Sequence, residues 1–334
     1  TSDDLKKIAN NISLETKKIY IDDSILEKKD WGEGWQWDDD MNTLMPRFNS
    51  YNLDKNLIKI TLMPTESGKN VTIINPSKYP IVFFNHVVTG NSNNVKVSRD
   101  NSVSANTLLL EGTVNKPVTL YVPTNNLKRY FDIKLTNALA DKKVYLKENF
   151  VVAKKTPADK QVDKVTHSIS MALDDVLKNS NNMVSETIAK LAGGKAYQDV
   201  GTDIYGIKVF NAYCQKIGVD NSKIRLTDAS GVSKNNLVNV DFISEYLYKN
   251  KSNKTLEHLA TPGEGTLTHR MLPIKENLRA KTGTLSDTSS IAGFLTSKSG
   301  NKYSFAIIIN DTTSTIPDMK MLEDYLIREA YLRL

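Results

Sequence analysis

The sequence predicts an α+β protein, and three observations carry that expectation. Between Leu57 and Val122, short segments rich in β-branched residues alternate with Gly-, Asn- and Ser-rich turns. From Ile169 to Tyr248 the apolar spacing becomes helical. Ile291–Thr296 and Tyr303–Ile309 then read as a strand hairpin, and a helical pattern closes the chain. Helices, then antiparallel strands, then a returning helix make a layered α+β arrangement rather than a parallel alternation.

Size and composition set the outer bounds. A chain of 334 residues suggests about two domains. We expect residues 1–160 to be one region and 161–334 the other, with polar Lys154–Lys160 as the linker. The composition is 40% hydrophobic and 25% charged, ordinary for a globular protein. No apolar run approaches the ~20 residues of a membrane helix. The chain opens at Thr1 directly into a helical pattern, so no signal peptide can be read; a processed or trimmed start is expected. A single cysteine, Cys214, excludes an internal disulfide, and its apolar stripe with Ile207, Phe210 and Ile217 predicts burial. His86, His167, His258 and His269 make no i, i+4 pair, so no metal and no other cofactor is expected. The net charge of +6 suits an anionic polymer, but the lysines are dispersed. With no basic tail and no recognition motif, a nucleic-acid partner is not expected.

Leu5, Ile8, Ala9 and Ile12 share one face of an opening helix. Lys18–Asp23 reads as a strand ending in a turn. Trp31-Gly-Glu-Gly-Trp35-Gln-Trp37-Asp-Asp-Asp40 follows. It is either a binding loop with acids on an aromatic platform or a loop pinned by buried Trp beside solvated Asp. Ile58–Leu62, Val71–Ile74, Ile81–Phe84, Leu108–Leu110 and Val118–Val122 are predicted strands, with a turn at Thr89–Asn94. Leu127, Tyr130, Phe131, Leu135, Ala138 and Leu139 mark a helix. In the second half, Ile169, Leu173, Val176 and Leu177 mark one helix. Val184, Thr187, Ile188 and Leu191 mark the next, expected to end near Gly193-Gly194. Ser180-Asn181-Asn182 lies in the break between them. A third helix carries Ile204, Ile207, Phe210, Cys214 and Ile217. Residues 226–237 form a polar turn, and a short helix spans about 241–248. The closing helix places Leu322, Tyr325, Leu326 and Ala330 on one face.

Two short motifs suggest chemistry. Arg279-Ala-Lys281-Thr282-Gly283-Thr284-Leu285 is a basic strand leading into a buried one, and Ser180-Asn181-Asn182 is a Ser-x-Asn upstream of it. Lys-Thr-Gly and Ser-x-Asn are two of the three elements of penicillin-binding serine acyltransferases. Further stretches occur in order. They are Tyr20-Ile-Asp-Asp-Ser24 with Gly34-Trp-Gln-Trp-Asp-Asp39, Leu177–Met183, Asp228-Ala-Ser-Gly-Val-Ser-Lys234-Asn-Asn-Leu237, and Gly263-Glu-Gly-Thr-Leu267 with Arg270. Together they resemble the D-Ala-D-Ala carboxypeptidases of peptidase family S13, the penicillin-binding-protein-4 type. The resemblance implies an incomplete penicillin-binding, β-lactamase-like transpeptidase domain in residues 161–334, with residues 1–160 as β-rich inserted accessory domains.

It also implies an activity: exported, periplasmic or envelope hydrolysis of peptidoglycan stem peptides, as carboxypeptidase and endopeptidase, through a serine acyl-enzyme that β-lactams also form. Peripheral association with membrane or wall goes with it. By resemblance Ser180 relays a proton to the leaving amine, and Asn182 bonds the substrate amide and the catalytic Lys. Lys281 sits near Ser180 and attracts the terminal carboxylate, to which Thr282 and Thr284 offer hydroxyls. Gly283 lets the strand lie close to an extended substrate, and the Thr284 N–H is one oxyanion donor. Ser286 lines the same strand. Asp39 corresponds to the acid associated with the free amino end of the stem side chain, with Asp38 and Asp40 beside it. Where many relatives place an aromatic shortly after that acid, this chain has Thr43-Leu44. Residues 228–236 are either a structural turn or a part of the site, with Lys234 facing it.

The third element, Ser-x-x-Lys, is expected outside this sequence. Ser299-Gly-Asn-Lys302 has the spacing but falls in a hairpin turn, not at the start of a buried helix. Two other readings remain: a wall-binding relative without the nucleophile, and a β-lactamase.

Overall fold

The computed structural model describes residues 1–99, 104–148, 150–156 and 163–334. The expected linker at Lys154–Lys160 lies partly outside the described residues. The chain divides into two compact units. The first is Thr1–Trp31 with Trp35–Thr166, and the second is Gly32–Gly34 with His167–Leu334.

The first unit opens with α1 (Ser2–Asn10), started by a capping box between Thr1 and Asp4. Its Leu5 and Ala9 are buried, and Ile12 packs on the same core. β1 (Tyr20–Ile21) follows. Of the three tryptophans, Trp35 is buried against Phe48 and Trp31, whereas Trp37 is 83% exposed. The loop is therefore pinned by Trp35. The predicted strands appear as β2 (Leu57–Met63), β3 (Thr72–Ile74), β4 (Val82–Thr89), β5 (Asn94–Arg99), β6 (Thr107–Val114) and β7 (Val118–Pro123). The sequence reading contains no strand at β5, although Val95 and Val97 alternate there with polar Asn94, Lys96 and Ser98 and pack on the core. It pairs antiparallel with β6, where Gly112 at φ +121 lets the backbone of Asn94 pass. Two three-stranded sheets result, β3-β2-β7 and β4-β6-β5. α2 (Leu127–Ala140) buries Leu127, Tyr130, Leu135, Ala138 and Leu139. β8 (Val151–Val152) pairs parallel with β1.

The second unit begins with α3 (Ile169–Leu177), capped by Ser168, and α4 (Asn182–Tyr197), capped by Asn181. Contrary to the sequence expectation, α4 runs through Gly193-Gly194 and stops at Gln198, which takes the left-handed conformation. The glycines serve close packing. A Cβ on Gly193 would lie 2.5 Å from the Gly206 nitrogen of α5 (Asp203–Ile217). The buried stripe of α4 is also not the expected one. It comprises Met183, Glu186, Lys190, Gly193 and Gly194, while Leu191 is 39% exposed. Two charged residues can face inward because each is matched; Lys190 pairs with Asp203 of α5 at 3.1 Å. Cys214 is fully buried beside Phe242, as its stripe predicts.

α6 (Val240–Lys249) packs on the final sheet. That sheet is built from β9 (Leu278–Thr284), β10 (Thr288–Thr296) and β11 (Lys302–Asn310), antiparallel in the order β11-β10-β9. Ser299 lies in the β10–β11 turn and Lys302 starts β11, so this Ser-x-x-Lys spacing is not on a helix. α7 (Ile316–Arg333) packs on β10. It buries Met319, Glu323 and Ile327, while the expected face leaves Leu322, Tyr325 and Leu326 about half exposed. Arg270 explains this rotation. Its guanidinium donates to Glu323 at 2.8 Å and to Asp324 at 2.6 Å, which draws the acidic stripe inward.

The α4–α5 contact yields a prediction. Gly193→Ala adds about 1 kcal/mol of helix propensity. The new Cβ would meet three α5 atoms within 2.7 Å, two of them backbone, and overpacking of that kind costs about 1–3 kcal/mol. Net destabilisation, read as a lower thermal midpoint by circular dichroism, is expected.

Candidate functional site

Ser180 occupies the break between α3 and α4, and its backbone is in the left-handed region at φ +57. For a serine that conformation costs about 1–2 kcal/mol. Local bonds hold it. The N–H of Asn181 donates to Asp175 O at 3.0 Å, and the Asn181 amide donates to the Asp175 carboxylate at 2.6 Å. Asn181 also caps α4 by accepting from the N–H of Val184 at 3.2 Å. Behind the turn, the N–H of Thr266 donates to Lys178 O at 3.0 Å. A side chain on Gly265 would strike that same carbonyl, at 2.3 Å. The Gly263–Arg270 stretch is thus a buttress for the Ser180 turn, itself tied to α7 through Arg270.

β9 brings Lys281 to this turn. The Lys281 ammonium donates to Ser180 Oγ at 2.6 Å, across 101 residues of sequence, and to Thr282 O at 2.6 Å. Burial of the ammonium lowers its pKa from 10.5 to about 8. Alternation along β9 turns Ala280 and Thr282 to the buried face and Lys281 and Gly283 to the other. A Cβ on Gly283 would lie 2.5 Å from Ser290 Oγ of β10, so glycine is required here by close packing. Thr284 is exposed at the end of β9, opposite Ser289. Ser286 is exposed in the bend that follows.

Ser180, Asn182, Lys281, Thr282, Gly283 and Thr284 therefore come from two elements that meet at the Lys281–Ser180 contact. Lys234 is not left pointing into open space. Its ammonium donates to Asp287 at 2.7 Å, one residue beyond Ser286. Asp39 belongs to the first unit, on the single 3-10 turn Trp37–Asp39. Its neighbour Asp40 is engaged by Arg99 at 2.9 Å.

Two residues escaped the sequence reading. Asp287 carries no motif. Glu186 does have a signal: it lies four residues after Asn182, on the stripe of Met183 and Lys190 that the fold buries. Its carboxylate accepts the N–H groups of Ala229 at 3.1 Å and Ser230 at 2.8 Å. Burial first, then the nearby charge of Asp228, pushes its pKa from 4.5 up to about 7, with Asp203 adding to the rise.

These two shifts act on stability with opposite signs. Glu186 binds its proton more tightly folded than unfolded, so stability falls as pH rises from about 4.5 to about 7. Lys281 releases its proton more readily folded, so stability rises with pH between about 8 and 10.5. Thermal midpoints measured across this range should show the descending limb flattened in Glu186→Gln and the ascending limb flattened in Lys281→Met. Equal slopes in variant and parent would contradict the assignment.

Comparison with known proteins places the chain in a family. The profile of the D-Ala-D-Ala carboxypeptidase 3 (S13) family matches residues 3–326. D-alanyl-D-alanine carboxypeptidase DacB of Haemophilus influenzae is 26% identical over 326 residues, covering 92% of this chain and 66% of that protein. D-alanyl-D-alanine carboxypeptidase of an Actinomadura species is 24% identical over 337 residues, covering 92% and 62%. The chain thus spans just under two thirds of the length of these relatives. The crystal structure of penicillin binding protein 4 (dacB) from H. influenzae superposes with a TM-score of 0.76 at 24% identity, covering 95% of this chain and 75% of that one. The same protein complexed with a β-lactam gives 0.67 at 24% identity, over 85% and 71%. The chain has the penicillin-binding-protein-4 fold and belongs to the D-Ala-D-Ala carboxypeptidase 3 (S13) family.

Proposed function

We propose that this chain contributes to a serine-type DD-carboxypeptidase and DD-endopeptidase that cleaves D-Ala-D-Ala ends and cross-links of peptidoglycan stem peptides. One observation carries the reading: the buried Lys281 ammonium bonded to the Ser180 hydroxyl at 2.6 Å. In acyl transfer the leaving amine needs a proton, and a hydroxyl already bonded to an ammonium is set to pass one on. With its pKa near 8, Lys281 gives up and regains a proton at little cost near neutral pH. While protonated it also attracts the substrate carboxylate, with the Thr282 and Thr284 hydroxyls alongside. Asn182 orients the substrate amide, and the Thr284 N–H serves as an oxyanion donor. The nucleophilic serine and its lysine lie on a Ser-x-x-Lys segment outside these 334 residues. β-Lactams acylate that serine, consistent with the β-lactam complex of the H. influenzae protein.

The β-rich region 1–160 is then an accessory insertion, and Asp39 receives the free amino group of the stem side chain. A peptidoglycan substrate places the protein outside the cytoplasm, in the periplasm or cell envelope, with peripheral contact to membrane or wall.

Labelling of the full-length protein with a fluorescent penicillin tests the reading directly. A covalent adduct is expected, and Lys281→Ala should slow its formation by about a hundredfold to a thousandfold, the usual effect of removing one transition-state stabilising group. Binding of wall peptide with no adduct would instead identify a non-catalytic relative, and rapid turnover of penicillin a β-lactamase. A second prediction concerns side-chain recognition. A charge-assisted hydrogen bond contributes about 1.5–3 kcal/mol. Asp39→Ala should therefore lower hydrolysis of amino-bearing stem peptides, relative to penicillin acylation, by about tenfold to a hundredfold. An unchanged ratio would remove Asp39 from the site.

A further inference from the structure

The turn at residues 228–236 is wound around one buried carboxylate. Asp228, 4% exposed, accepts the N–H groups of Gly231 at 2.9 Å and Ser233 at 2.7 Å and the Asn236 amide at 2.7 Å. Gly231 takes φ +82, open to glycine without strain. The Thr227 hydroxyl bonds Ser233 Oγ at 2.7 Å, and the Thr227 N–H bonds the Asn236 side chain at 2.8 Å. Such a turn moves as one piece, because bending it anywhere breaks bonds to the same carboxylate.

This rigid piece is attached at both ends to the two elements of the site. On one side it sits on α4. Glu186 accepts from Ala229 and Ser230, and Ser185 Oγ donates to Ala229 O at 2.8 Å. Glu186 is one helical turn from Asn182, so the attachment is made at the business end of α4. On the other side Lys234 reaches Asp287 in the bend between β9 and β10, three residues past Thr284. Gly34 closes on the turn as well: its carbonyl accepts the Lys234 N–H at 3.3 Å, and a Cβ there would hit Ser233 Oγ at 2.4 Å. A surface ion pair contributes little free energy, so Lys234–Asp287 is the weaker of the two attachments and Glu186 the stronger.

We propose that the 228–236 turn is a strut that fixes the start of α4 relative to the β9–β10 hairpin, with Glu186 as its positioning residue and Lys234–Asp287 as its far attachment. The inference deepens the site proposed above and rests on that reading for its catalytic consequence. Its structural consequence stands alone: the burial of Lys281 against Ser180 depends on the strut. Charged groups facing Glu186 are Asp228 from the turn and Asp203 from α5, which itself pairs with Lys190 of α4.

The test compares Glu186→Ala, Glu186→Gln and Asp287→Ala with the parent 334-residue chain. Competitive acetylation across pH, read by mass spectrometry on the peptide containing Lys281, reports that lysine's midpoint and accessibility. Hydrogen exchange over 228–236 reports release of the turn. Glu186→Ala should raise the Lys281 midpoint from about 8 by roughly one pH unit, as hydration of a buried ammonium does. Asp287→Ala should move it in the same direction by less. Glu186→Gln, whose amide oxygen still accepts both N–H groups, should stay at the parental value. Faster exchange in the turn with an unmoved Lys281 midpoint overturns the proposal. If Glu186→Ala does not fold, Asp287→Ala decides by the same criterion. In the full-length protein, Glu186→Ala should slow penicillin acylation about tenfold, with Glu186→Gln restoring it. A parent protein that takes no label refutes the enzymatic reading, while the Lys281 midpoint still decides whether the strut positions it.

Discussion

The second unit depends on a lysine ammonium removed from water and given one hydroxyl and one carbonyl in exchange. Lys281 is drawn to Ser180 by β9, and everything around the pair keeps it there. The Ser180 backbone is left-handed, a conformation that a serine holds only when its surroundings over-determine it. Asp175 anchors the next residue, Thr266 holds the carbonyl of Lys178, and Gly265 leaves room for that contact. Desolvation lowers the proton affinity of Lys281 to a value useful near neutral pH. Geometry and protonation are therefore two results of the same burial.

Compensated charge recurs through this unit. α4 buries Glu186 and Lys190, and α7 buries Glu323. Each buried charge has partners that offset part of its desolvation: backbone N–H groups for Glu186, Asp203 for Lys190, Arg270 for Glu323. Removal of one member would leave the other buried and unmatched, which costs far more than an exposed pair contributes. These networks fix rotation as well as proximity. An apolar stripe packs at several helix rotations, whereas a guanidinium bonded to two adjacent carboxylates admits few.

The first unit is built by more ordinary means. Its core is aliphatic and aromatic, with Ile58, Ile60 and Leu62 of β2 fully buried and Tyr130 of α2 packed among the sheets. Here short β-branched segments set between polar turns marked most of the strands. The strand absent from that reading, β5, alternates Val95 and Val97 with polar Asn94, Lys96 and Ser98; the two valines pack on the core while its backbone pairs with β6. Two valines directly after an Asn- and Ser-rich turn are a short signal, and the β6 partner that makes a strand of them lies beyond the next turn in the sequence.

The sequence by itself determined the α+β class, the two helices that flank the Ser180 break, the burial of Cys214 and the two motifs that lead to the S13 family. Those features are local: a stripe or a tripeptide acts over a few residues and keeps its meaning wherever the segment lies. Tertiary structure alone decided that α4 continues through Gly193-Gly194, because the reason is a helix approaching from residues 203–217. It alone turned Glu323 inward and Leu322 outward, because Arg270 is remote in sequence. The roles of Glu186 and Asp287 belong to the same class. A buried carboxylate is legible only once the N–H groups it accepts, some 40 residues away, have been brought to it.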